Sequence, residues 1–115
     1  MTEKSLRDQI RAATVGESSH FRKKVVEWNG FKVEMREPSN KSKKELYKRC
    51  RDSEGNVDPI EFLVWSVIEN TYVPDTDEKV FEKADYDSLM SKPAGGFIDK
   101  FGHAGMELFN PEGKG

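Results

Sequence analysis

The chain has 115 residues, of which 35% are hydrophobic and 35% are charged, with a formal net charge of −2. That length fits one domain with a single modest core, and seven Phe, three Tyr and two Trp supply enough large apolar area to exclude a wholly disordered chain. One cysteine, Cys50, excludes an intrachain disulfide and a multi-thiolate zinc site. No apolar run approaches the roughly 18 residues of a membrane span, and Met1 to Ile10 lacks a secretory hydrophobic region. A reducing cytoplasm is the expected setting.

The charge is unevenly distributed. Residues 1–51 hold 14 Lys and Arg against 7 Asp and Glu; residues 52–115 hold 5 against 14. The balances are +7 and −9. Such a split suits two halves that face each other in one fold, and it equally suits self-association through the charge-split halves or docking to a charged partner.

In chain order, Ser5-Leu-Arg-Asp8 has capping-box spacing, and a short helix through Ala13 places Leu6 and Ile10 on one face. Thr14 to His20 reads as a polar loop. Arg22 to Glu37 reads as a β-hairpin around Asn29-Gly30, a pair suited to a type I′ turn because both residues need positive φ. A two-residue loop sets Trp28 opposite Phe31, Val26 opposite Val33 and Glu27 opposite Lys32. Strict alternation over Phe31–Glu37 predicts one buried face, carrying Met35, and one wet face. Pro38 stops the strand, and Ser39 to Ser42 offer N-caps for a basic outer helix through Arg51 whose apolar residues are Leu46, Tyr47 and Cys50. After a loop around Gly55, Asp58-Pro59 opens the central helix with Asp as N-cap and Pro at N1. Its stripe is Ile60, Leu63, Val64, Val67 and Ile68, widened by Phe62 and Trp65. Tyr72 to Thr76 is a turn. A short helix over Lys83–Ser91 points Ala84, Leu89 and Met90 inward. A last helix from about Pro93 to Leu108 carries Phe97, Ile98, Phe101, Gly105 and Leu108, and its glycines permit close approach of another backbone. The fold class is α+β and mainly helical: one N-terminal hairpin packed on a small helical bundle. Residues 1–110 form a single domain with 1–20 as an N-terminal extension, and 111–115 are a loose tail.

Few residues suggest chemistry. Asp52 to Asp58 has the alternating oxygens of a calcium loop, but Gly55 falls at loop position 4 rather than 6, and Leu63 stands where a bidentate Glu is required. His103 has only Asp99, four residues earlier, as a metal-ligand neighbour, and His20 has none. There is no nucleophile elbow, phosphate loop or dinucleotide fingerprint. The residues make no case for an enzyme, a cofactor or a metal. Lys41, Lys43, Lys44, Lys48, Arg49 and Arg51, extended by Arg22, Lys23 and Lys24, form a basic patch. Such a patch could hold phosphates, but it lacks interleaved exposed aromatics and a DNA-binding motif. Docking on an acidic protein, or a solvated face, suits it better.

From its second strand onward the chain resembles the tail assembly chaperones of long-tailed bacteriophages and prophages. The resemblance rests on Val33-Glu-Met-Arg-Glu-Pro38, then a charged helix, then Asp58-Pro-Ile-Glu-Phe-Leu-Val-Trp-Ser-Val-Ile68. A short Pro-Asp-Thr loop follows, then Leu89-Met-Ser-Lys-Pro-Ala-Gly95 and a closing helix of apolar and small residues. It covers about residues 31–110. It implies a chaperone of virion morphogenesis that binds the tape measure protein and helps recruit tail tube subunits. It also implies a longer frameshifted product in many relatives, with which Gly113-Lys114 is compatible. A small nucleic-acid-binding regulator and a structural minor tail component remain as alternatives. For a protein that covers apolar helical surfaces, the expected contact residues are Phe62, Trp65, Phe97, Phe101 and Leu108, joined by the cations Lys44, Lys48 and Arg51. For each of the five apolar residues, the competing expectation is plain core.

Overall fold

A computed structural model of the chain describes residues 5–16 and 21–109. His20, the Asn110-Pro111 stop, the 111–115 tail and Gly113-Lys114 lie outside the described residues. The element order is α1 (Leu6–Thr14), β1 (Lys23–Trp28), β2 (Phe31–Arg36), α2 (Asn40–Arg49), α3 (Pro59–Asn70) and β3 (Thr71–Tyr72). A 3-10 turn (Lys83–Asp85), α4 (Tyr86–Met90) and α5 (Phe97–Phe109) complete it.

The hairpin forms in the predicted register. Asn29 and Gly30 have φ of 52° and 83°, and Trp28 faces Phe31, Glu27 faces Lys32 and Val26 faces Val33. The sheet has a further strand: β3 pairs antiparallel with β2, Thr71 against Met35 and Tyr72 against Glu34, giving the order β1-β2-β3. A segment read as turn from Tyr72 onward thus begins as a strand.

The inner face of the sheet lies against α3 and α5. Val26 and Met35 join Val64, Val67, Ile68, Leu89, Ile98, Phe101, Ala104 and Leu108 in one core. Thr71 is fully buried there, its hydroxyl 2.6 Å from the Val67 carbonyl and 3.2 Å from the Met35 sulfur. α5 comes close to α3 at Gly102, where a Cβ would stand 2.2 Å from Leu63 Cδ1. The absent side chain therefore serves packing inside the chain. α2 lies outside this layer and closes a second small cluster of Leu46, Cys50 and Phe62.

The outer face of the sheet departs from simple alternation. Glu34 was expected to be wet, yet it is 1% exposed. The 73–78 turn folds over it: the Asp75 N–H donates to Glu34 Oε1 at 3.2 Å, from a left-handed backbone with φ of 62°. Arg36 Nε donates to Glu34 Oε2 at 2.5 Å, while the same guanidinium reaches Asp77 at 3.1 Å, the Thr76 carbonyl and the Tyr72 ring at 3.9 Å. Lys23 is 3.7 Å away. Burial pushes the Glu34 carboxyl up, but the Arg36 and Asp75 hydrogen bonds and the two neighbouring cations outweigh it and hold the group below its ordinary 4.5.

Other boundaries shift for local reasons. Ser39, rather than Ser42, caps α2, its hydroxyl accepting from the Ser42 N–H at 3.1 Å. The helix stops at Arg49 because Arg51 leaves to bridge Val57. Asp58 caps α3 through bonds from the N–H groups of Ile60 and Glu61. Ile60, in the first turn of α3, is 59% exposed, not core. Ala84 and Met90 are also exposed, so buried Leu89 and half-buried Tyr86 anchor α4. α5 begins at Phe97, after a turn in which the Gly96 N–H bonds the Pro93 carbonyl.

Two outcomes follow. Gly102→Ala raises helix propensity by up to about 1 kcal/mol, yet it forces Leu63 aside at about 1–3 kcal/mol. Its urea midpoint should fall, whereas an Ala at an open helical glycine would raise it. A carboxyl with a lowered folded pKa stabilises above its unfolded value and loses that contribution as the pH falls. Wild-type stability should therefore drop below about pH 4.5, and Glu34→Gln should be less stable at neutral pH with a shallower acid slope in urea titrations.

Candidate protein-binding surface

The eight expected contact residues separate into three groups. Phe62, Phe101 and Leu108 are buried in the chain's own clusters, at 5%, 4% and 8% exposure. Phe62 packs under Tyr47 with ring centroids 4.9 Å apart. Trp65 and Phe97 are half-buried. The Trp65 ring stacks on Tyr86 at 4.6 Å, and the Arg49 guanidinium covers it at 4.4 Å. Phe97 is held among Phe81 at 6.0 Å, Phe101 at 5.6 Å and Trp28 at 6.3 Å. Lys44, Lys48 and Arg51 are exposed. Lys44, Tyr47 and Lys48 occupy i, i+3 and i+4 positions of α2 and so share one stripe, and Arg51 follows the helix end. Tyr47, which the sequence reading groups with the apolar residues of the basic helix, is 36% exposed among these cations.

The extension of the basic patch beyond α2, and Arg49 within it, are answered by carboxylates, whereas Lys41, Lys44, Lys48 and Arg51 stay exposed. Lys24 pairs with Glu107, Arg22 with Glu37, and Lys23 lies beside Glu34. Arg49 reaches Glu69 at 3.4 Å, and Lys79 reaches the other oxygen of the same carboxylate at 3.0 Å. Burial pushes Glu69 up, but bonds and charge from Lys79 and Arg49 bring its pKa below the ordinary value. Three of these ion pairs, Lys24–Glu107, Arg36–Asp77 and Arg49–Glu69, join the basic first half to the acidic second half. Part of the charge asymmetry is thus answered within the fold.

Exposed apolar side chains lie mostly where the sequence did not look for them. Leu6, Ile10 and Val15 are 72%, 53% and 69% exposed on and just after α1, a helix with no buried residue. Phe31 is 74% exposed beside the hairpin turn. The α1 stripe is legible as an i, i+4 pair; alternation puts Phe31 on the same face as Met35, yet α5 covers its neighbour Trp28 and leaves Phe31 open.

The described residues offer little chemistry. Among them no group of three or more His, Cys, Asp or Glu is placed to hold a metal. Asp52 Oδ1 accepts from the N–H groups of Glu54 and Asn56, each at 2.9 Å, so the calcium-like loop is closed by its own backbone. Cys50 is buried, and burial, helped by the Glu61 charge, pushes its thiol up to about 11, far from nucleophilic. His103 sits on an exposed helix face, 3.0 Å from Asp99. No helix among the described residues is long and apolar enough to cross a membrane.

The architecture is a mainly helical α+β fold: a hairpin extended by a short third strand, backed by two crossed helices and flanked by a basic one. The same fold occurs in the tail assembly chaperone of bacteriophage HK97. That structure aligns with 90% of this chain and 99% of its own, with a TM-score of 0.55 at 20% identity. No family model matches the sequence, and no curated protein matches it.

Trp65→Ala should lower stability by about 2–3 kcal/mol, because the Tyr86 stack and the Arg49 cover are lost together. Chemical denaturation followed by circular dichroism measures this. A neutral result would release Trp65 from the core and return it to the contact surface.

Proposed function

We propose that this chain is a phage tail assembly chaperone. It binds the tape measure protein in the host cytoplasm, keeps that long partner soluble, and helps recruit tail tube subunits. The observation that carries the reading is the fold shared with the HK97 chaperone over nearly the whole of both chains. The order of a strand, a charged helix, an apolar helix opened by Asp58 and a closing helix, which carries the sequence resemblance over about residues 31–110, agrees with this reading. The surface is consistent with a protein partner. Exposed apolar residues on α1 and at the hairpin tip, together with the Lys44–Tyr47–Lys48 stripe, give contact area without any reacting group.

The test is co-expression with the tape measure protein encoded near the same gene. The partner should be insoluble alone and soluble when this chain is present, and the two should co-purify. Charge reversal at Lys44, Lys48 and Arg51 together should weaken that capture about tenfold, with an unchanged unfolding midpoint because all three are exposed. Failure of co-purification, with steeply salt-dependent binding to DNA or RNA instead, would move the protein to the nucleic-acid class.

A further inference from the structure

β1 is an edge strand: it pairs with β2 on one side, and among the described residues no strand pairs with its other side. Its backbone parity is fixed. The Glu37 N–H donates to the Arg22 carbonyl at 2.8 Å, and the two-residue turn makes Trp28 and Phe31 a hydrogen-bonded pair. Residues 22, 24, 26 and 28 therefore direct their N–H and C=O groups to β2, and Lys23, Val25 and Glu27 direct theirs outward. The side chains of those same three residues stand together on the outer face of the sheet, and all three are exposed, Val25 at 55%.

We infer that this edge pairs with the same edge of a second copy of the chain, antiparallel about a two-fold axis through Val25. The argument is self-complementarity. A two-fold at Val25 sets Val25 against Val25 of the second copy, and Lys23 against Glu27 twice. Each of those pairs joins residues whose backbone groups point outward, so each exchanges both N–H···O bonds. Apolar faces apolar, and cation faces anion. A slip of two residues in either direction sets Val25 against a charge. An edge lysine usually guards a strand against pairing; here its complement lies four residues along the same strand.

The inner side of the edge carries the same symmetry. A groove runs along β1, from Lys24 through Val25 and Val26 to Glu27, and along α5 at Lys100, His103, Ala104 and Glu107. Glu107 pairs with Lys24 near one end, and Lys100 lies 5.9 Å from the Trp28 ring at the other. The two-fold brings the Glu107 end of one copy to the Lys100 end of the other. The result is a continuous six-stranded sheet with both α5 helices on one face.

The full chain should sediment as a dimer in analytical ultracentrifugation. Val25→Pro removes only an outward N–H, which an edge strand tolerates, and it should give a monomer with the wild-type circular dichroism spectrum. Lys23→Glu and Glu27→Lys each place like charges across the two-fold and should each weaken the dimer about tenfold or more, with the unfolding midpoint of Lys23→Glu measured alongside because Lys23 also lies 3.7 Å from Glu34. Mixed in equal amounts, those two variants restore both opposite-charge pairs and should form a heterodimer. A wild-type chain that remains monomeric, a dimer unaffected by Val25→Pro, or charge variants that fail to recover on mixing would overturn the inference. A monomeric chain whose capture of the tape measure protein is lost in Val25→Pro would overturn it too, and would give the edge to an extended segment of that partner.

Discussion

The two-residue turn at Asn29-Gly30 is the constraint on which the rest of the molecule depends. In a strand the side-chain period is two, so a slip of one residue would carry every hairpin side chain to the opposite face. In the observed register Met35 enters the core against Thr71, and Glu34 turns outward beneath the 73–78 segment. The backbone parity of β1 follows from the same turn. Asn29 and Gly30 adopt the left-handed conformations that this turn requires, and few other residue pairs do so at low cost.

A second layer of organisation comes from Arg36. Its guanidinium bonds Glu34, Asp77 and the Thr76 carbonyl and covers Tyr72. One side chain thereby fixes a turn more than thirty residues away against the back of the sheet, and a carboxylate can be buried there without neutralising. Such a network is worth little as a count of ion pairs. Its value lies in specificity: only one position of the 73–78 turn satisfies all of its members.

Local signals were legible in the sequence wherever the deciding physics was local. The capping hydroxyl of Ser5, the Asp58-Pro59 start of α3, the hairpin register and the α5 stripe each depend on residues within one or two turns of one another. Apart from the shifted ends of α2, the misreadings required knowing what lies across the fold. Two residues, Thr71 and Tyr72, become a strand because β2 is beside them. Glu34 is buried because a distant turn covers it. Ile60, Ala84 and Met90 are exposed rather than core. The contact residues divided in the same way. Exposed cations on α2 were legible, whereas Phe62, Phe101 and Leu108 could not be separated from core by periodicity, since a core stripe and a docking stripe share it.

The solitary thiol of Cys50 gives the molecule an internal clock. It is 2% exposed beneath α2, in the small cluster with Leu46 and Phe62. A thiol-reactive dye can reach it only when the small cluster at the end of α2 opens, and no second cysteine competes for the dye. The labelling rate in the native state therefore records how often the C-terminal end of that outer helix opens, separately from the melting of the sheet and of α5. A partner that grips α2 would slow the clock; one seated elsewhere on the molecule would leave it running.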